Sequence, residues 1–83
     1  MEYKRHMLAI LDSRCGIEVR EGQLVDDFRL SVDVNARRED VCQALSDLKE
    51  RGHADTRVIE YTGRVWKVTP EGTEAAKKIQ FGD

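Results

Sequence analysis

The chain has 83 residues, 40% of them apolar and 36% charged, and a domain this small buries only roughly 60% of the surface its unfolded chain exposes, so one compact core is expected. No apolar run approaches the roughly 20 residues of a bilayer-crossing helix, and Met1-Glu2-Tyr3-Lys4-Arg5-His6 does not lead into an apolar signal region, so no membrane contact and a cytoplasmic address are expected. A net charge of −2 excludes the basic surplus usual in proteins that live on nucleic acid.

The first predicted element is a helix from Glu2 to about Arg14, with Tyr3, Met7, Leu8, Ile10 and Leu11 on one side and Glu2 near the positive end of its dipole. Cys15-Gly16 stops it, because Gly16 is free to take the left-handed conformation past a helix end. Ile17-Glu18-Val19 alternates and is short, which fits a minor strand. Leu24, Val25 and Phe28 then predict a second helix from about Glu21 to Arg29, although Gly22 weakens its first turn and no Ser, Thr, Asp or Asn caps it. Leu30-Ser31-Val32-Asp33-Val34-Asn35 alternates with period two and predicts extended chain rather than helix.

Asn35 is the expected N-cap of a third helix, Ala36 to Arg51, whose core stripe is Val41, Ala44, Leu45 and Leu48 and whose stop is Gly52. Two β-prone runs follow, Ala54 to Tyr61 and Arg64 to Thr69, joined by Thr62-Gly63 as a two-residue turn. Pairing Tyr61 with Arg64 sets Ile59 beside Trp66 and places Ile59, Trp66 and Val68 on the core face, with Val58, Glu60, Val65 and Lys67 opposite. Thr69 as N-cap and Pro70 at the first position open a fourth helix, packed through Gly72, Ala75, Ala76 and Ile79.

Cys15 and Cys42, with His6 and His53, match no zinc spacing and are expected as small buried or half-buried thiols. No Gly-rich phosphate loop and no nucleophile with a partnering base stands at an interpretable spacing. Neither an enzyme nor a cofactor is expected.

Leu24-Val25-Asp26-Asp27-Phe28, then Val41-Cys42-Gln43-Ala44-Leu45-Ser46-Asp47-Leu48-Lys49-Glu50-Arg51-Gly52, then Trp66-Lys67-Val68-Thr69-Pro70-Glu71-Gly72 succeed one another along the chain. This order resembles the winged helix-turn-helix domains of small bacterial repressors. The resemblance implies an α+β fold over residues 1–83 as a single domain: a three-helix core, a two- or three-stranded wing and a C-terminal helix, with a recognition helix at about 36–51 and a wing at about 54–69. The chain departs from the pattern between Phe28 and Val41, where the turn is longer by about half a dozen residues than the tight turn such domains have.

The activity that the resemblance implies is binding to double-stranded DNA in transcription regulation, as a dimer. Arg37, Arg38 and Gln43 on the third helix and Arg57, Arg64 and Lys67 on the wing are the candidate contacts, as donors to phosphates and base edges. Against it stands the outward side of the third helix, where Glu39, Gln43, Ser46, Asp47 and Glu50 include three acids and no base, and carboxylates repel a phosphate backbone. The alternative is an adaptor or homodimer that meets a protein through that acidic side, or through Val58 and Val65 as an apolar patch on the outer face of the wing.

Overall fold

The structure is a computed structural model that describes residues 3–80, with the backbone alone at residues 79 and 80. Its elements run α1 (Tyr3–Asp12), β1 (Val19–Arg20), α2 (Glu21–Ser31), α3 (Arg38–Glu50), β2 (Ala54–Ile59), β3 (Gly63–Val68) and α4 (Pro70–Gln80). The three strands form one antiparallel sheet in the order β1-β3-β2. The described chain is thus a small α+β fold of four helices and a three-stranded sheet. Glu2 and the side chain of Ile79, given roles above, lie outside the described residues.

The helices form where apolar residues recur at helical spacing. Met7, Leu8 and Leu11 of α1, Leu24, Val25 and Phe28 of α2, and Val41, Ala44, Leu45 and Leu48 of α3 are all buried. Together with Trp66, Val68 and Ala76 they make one apolar cluster, with α1 packed against the other three helices and β3. Trp66 is 2% exposed and closes the cluster from the sheet side.

Two junctions are built at residues that the sequence marks. Gly52, at φ 79°, follows α3; its N–H donates to the Lys49 carbonyl and that of His53 to the Leu48 carbonyl, which satisfies the last turn. Thr69 caps α4: its Oγ1 accepts from the Gly72 N–H at 3.0 Å and donates to the Gly52 carbonyl at 2.5 Å. The Thr69 N–H donates to the His53 carbonyl, so the start of α4 is tied to the end of α3. At Gly72 a Cβ would stand 2.1 Å from the His53 carbonyl oxygen, which leaves hydrogen as the only side chain that fits.

Several expectations need correction. Leu30 and Ser31 continue α2 instead of starting an extended stretch. The turn from 32 to 37 is held by Asp33, whose carboxylate accepts the Asn35 N–H and whose carbonyl accepts the Ala36 N–H, while the Ala36 carbonyl accepts Arg29 Nε. Asn35 therefore caps nothing; α3 begins at Arg38, with Arg37 at the N-cap position and no side-chain cap. α1 ends at Asp12, and after it both Cys15 (φ 53°) and Gly16 (φ 80°) are left-handed. Cys15 is exposed rather than sheltered; Cys42 is half-buried, and neither is in a disulfide.

The hairpin pairs in a different register. Thr56 lies opposite Trp66 and Ile59 opposite Gly63, a slip of three residues from the expected pairing. An odd slip exchanges the faces of one strand. Ala54, Thr56 and Val58 thus share the side of Trp66 and Val68, and Ile59 falls on the outer side with Arg57, Val65 and Lys67. The cause is the loop: Thr62 N–H donates to the Ile59 carbonyl and Tyr61 takes φ 68°, so Glu60-Tyr61-Thr62 forms the connection and Gly63, at φ 97°, already pairs. Val58 and Val65 form no common patch. Val58 is 70% exposed near the tip, whereas Val65 on the other side is 4% exposed, because β1 pairs with β3 and sets Arg20 and Arg57 on either side of it.

Candidate nucleic-acid interface

α2 starts abruptly from β1. Arg20, in extended conformation at the N-cap position, gives no side-chain hydrogen bond to the helix, so its first N–H groups are unsatisfied by a cap and carry the positive end of the dipole. Arg38 opens α3, and Arg64 sits one residue past the hairpin loop. Arg20, Arg38 and Arg64 line one cleft together with Gly22, Gln23 and Gly63. Three arginines from three separate segments thereby line one cleft at a helix N-terminus, Arg20 from the sheet side of Val65 and Arg64 from that of Trp66.

One carboxylate shares the cleft. Glu21 accepts the buried indole N–H of Trp66 on Oε1 at 3.1 Å and faces Arg38 Nη2 from Oε2 at 3.5 Å. It anchors the tryptophan, and its charge offsets part of the arginine field. The half-buried Cys42 thiol lies close by; burial first and Glu21 second push its pKa up, against the opposing pull of Arg38 and Arg64. Cys42 is therefore a neutral thiol at physiological pH and a poor nucleophile.

The structure separates the six residues singled out in the sequence. Arg38 and Arg64 meet in the cleft. Arg37 is exposed at the start of α3 and has no ion-pair partner among the described residues. Gln43 points along α3 and donates to Asp47 at 3.1 Å. Arg57 lies on the outer side of the sheet, where its Nε and Nη2 donate to the two Glu18 oxygens at 2.5 and 2.6 Å, and Lys67 lines the same shallow hollow. That guanidinium holds the Glu18 carboxyl below its ordinary pKa. Arg57 and Lys67 thus stand across the sheet from Arg38. Arg20 went unnoticed in the sequence; the missing cap ahead of α2, read there only as a weak start, was the signal.

After Arg38, α3 is acidic from its first turn onward, where Glu39 and Asp40 already stand. Glu39, Gln43, Ser46 and Glu50 are exposed, and Asp33, Asp40 and Asp47 line a groove with Tyr3 between α1 and α3. Tyr3 donates its hydroxyl to Asp33 Oδ2 at 2.9 Å, which raises its pKa. One helix therefore opens on an arginine and carries carboxylates from its first turn onward. Among the described residues no cluster of His, Cys, Asp and Glu is placed to hold a metal, and no helix is long and apolar enough to cross a membrane. Compared with protein-family models, curated proteins and solved structures, the chain matches none.

Proposed function

We propose that this protein is a winged-helix domain that binds duplex DNA chiefly through the phosphate backbone, gripped between the first turns of α2 and α3 and the tip of the β2–β3 hairpin. The observation that carries the reading is the convergence of Arg20, Arg38 and Arg64 on the uncapped start of α2. Arginine forks and free helix N–H groups are the donors that phosphate oxygens accept best. Arg37, one residue before α3, extends the same basic edge. Arg57 and Lys67 take no part, since they line a separate hollow with Glu18, which holds Arg57. The carboxylates of α3, which begin with Glu39 and Asp40 in its first turn, keep that helix from lying deep along a major groove, so the contact is to the phosphate backbone.

Backbone contact of this kind predicts weak, salt-sensitive affinity. With about three phosphates neutralised, the slope of log binding constant against log salt is about −2 to −3, and the dissociation constant falls in the ~10⁻⁴ to 10⁻⁶ M range. Fluorescence anisotropy of a short labelled duplex tests this. Arg20→Ala, Arg38→Ala and Arg64→Ala together should flatten the slope, whereas Arg57→Ala with Lys67→Ala should leave it unchanged. No measurable affinity even at low salt contradicts the reading.

A second reading is favoured by a specific observation, the groove of Tyr3, Asp33, Asp40 and Asp47. There the domain is an adaptor that receives a basic protein segment on the acidic body of α3. Absence of duplex binding, combined with amide shifts at Asp33, Asp40 and Asp47 on adding a lysine-rich peptide, supports it over the first.

A further inference from the structure

At the other end of α3, about 20 Å from Arg38 along a helix rising 1.5 Å per residue, α1, α3 and α4 leave an open groove of about 370 Å³. Its floor is apolar, made by Leu8 of α1, Leu48 of α3 and Ala75 of α4. Its rim carries Lys4, Arg5, Arg51, His53 and Lys78, and no carboxylate among the described residues. Among the described residues Lys4, Arg5, Arg51 and Lys78 have no ion-pair partner, although acids outnumber bases 16 to 14 in the chain. Lys4 stands on the ridge shared with the acidic groove; the other cations face this groove. The carbonyl end of α3, which repels anions, is closed here by the Gly52 and His53 N–H groups.

We infer that this groove binds an organic carboxylate with an apolar body. The apolar floor has no use for an inorganic ion, and the carboxylate-free cationic rim selects a negative headgroup over a neutral one. The volume lies at the lower end of the ~300–1,000 Å³ of small-molecule sites, which suits a fused-ring or short-chain acid. The site is separate from the arginine cleft, so this inference and the duplex-binding reading can each fail alone.

A ¹⁵N chemical-shift titration with 2-naphthoate tests it, beside 2-naphthamide for the body without charge and acetate for charge without the body. Naphthoate should move the amides of Leu8, Arg51, Ala75 and Lys78, and both comparison compounds should bind at least about tenfold more weakly. Arg5→Ala with Lys78→Ala, both exposed positions, should weaken naphthoate about tenfold at unchanged melting temperature. The inference is overturned by an absence of shifts, by naphthamide or acetate binding as well as naphthoate, by shifts centred on Arg20, Arg38 and Arg64, or by undiminished binding in the double variant.

Discussion

Glu21 serves two ends that pull against each other. Its carboxylate holds the indole N–H of Trp66 at the centre of the fold, and the same negative charge sits among the arginines that a phosphate would need. Glu21→Ala leaves a buried N–H unsatisfied and should cost about 1–3 kcal/mol in urea unfolding. Glu21→Gln keeps an oxygen for the indole while removing the charge, so it should unfold near the wild-type midpoint yet bind duplex roughly three- to tenfold more tightly. Equal duplex affinity in the two proteins would place the phosphate elsewhere. Tyr61 shows a different kind of cost: it is 99% exposed and takes φ 68° at the hairpin loop, where a side chain gains nothing and the left-handed backbone costs roughly 1–2 kcal/mol. Tyr61→Gly should raise the melting temperature by a few degrees; a fall would show that the tyrosine makes contacts that its exposure excludes. Glu18, held by Arg57, has its pKa depressed in the fold, so the stability this pair supplies is present above the ordinary carboxylate range and lost as pH falls through the depressed value. Because the pair is exposed, Glu18→Gln should flatten only slightly the acid limb of stability measured by urea unfolding across pH; an unchanged acid limb would mean that the pair adds no stability.

Among the elements, the joint between α3 and α4 is the least forgiving. Gly72 lies where a methyl group would meet the His53 carbonyl and Val68, so Gly72→Ala should destabilise by about 1–3 kcal/mol despite the better helix propensity of alanine. A gain in stability would mean that α4 does not dock as described. The two halves of this joint were legible beforehand, because Gly52 and Thr69-Pro70 each carry a capping chemistry with one structural meaning, but their tie through Thr69 to the Gly52 and His53 carbonyls was not. The apolar stripes of α1, α2 and α3 were legible for a similar reason: periodic burial leaves little choice of face. What escaped was set by contacts across the chain. Leu30-Ser31 alternates like a strand yet extends α2, since Asp33 and Arg29 organise the following turn through hydrogen bonds that no local pattern displays. The hairpin register hung on where the loop begins: Tyr61 takes a positive φ ahead of Gly63, so the connection is Glu60-Tyr61-Thr62 and not Thr62-Gly63. Of the candidate contacts, Arg38 and Arg64 could be foreseen as charges, but their convergence with Arg20 depends on β1 pairing beside β3, a contact between segments more than forty residues apart.

Over the whole molecule, a nearly neutral charge balance hides strong segregation. The arginine cleft lies at the start of α3, a carboxylate-lined groove runs along its body, and a rim that is cationic among the described residues surrounds its far end. Net charge of −2 therefore says little about what any one surface attracts. The proposed duplex interface is the first of these surfaces and not the second. A ¹⁵N-labelled protein titrated with a short duplex at low salt reads this directly, amide by amide. Shifts are expected at Arg20, Gly22, Gln23, Arg38 and Gly63 with Asp47 and Glu50 unmoved; shifts concentrated along α3 beyond its first turn, or none at all, would contradict the proposed interface.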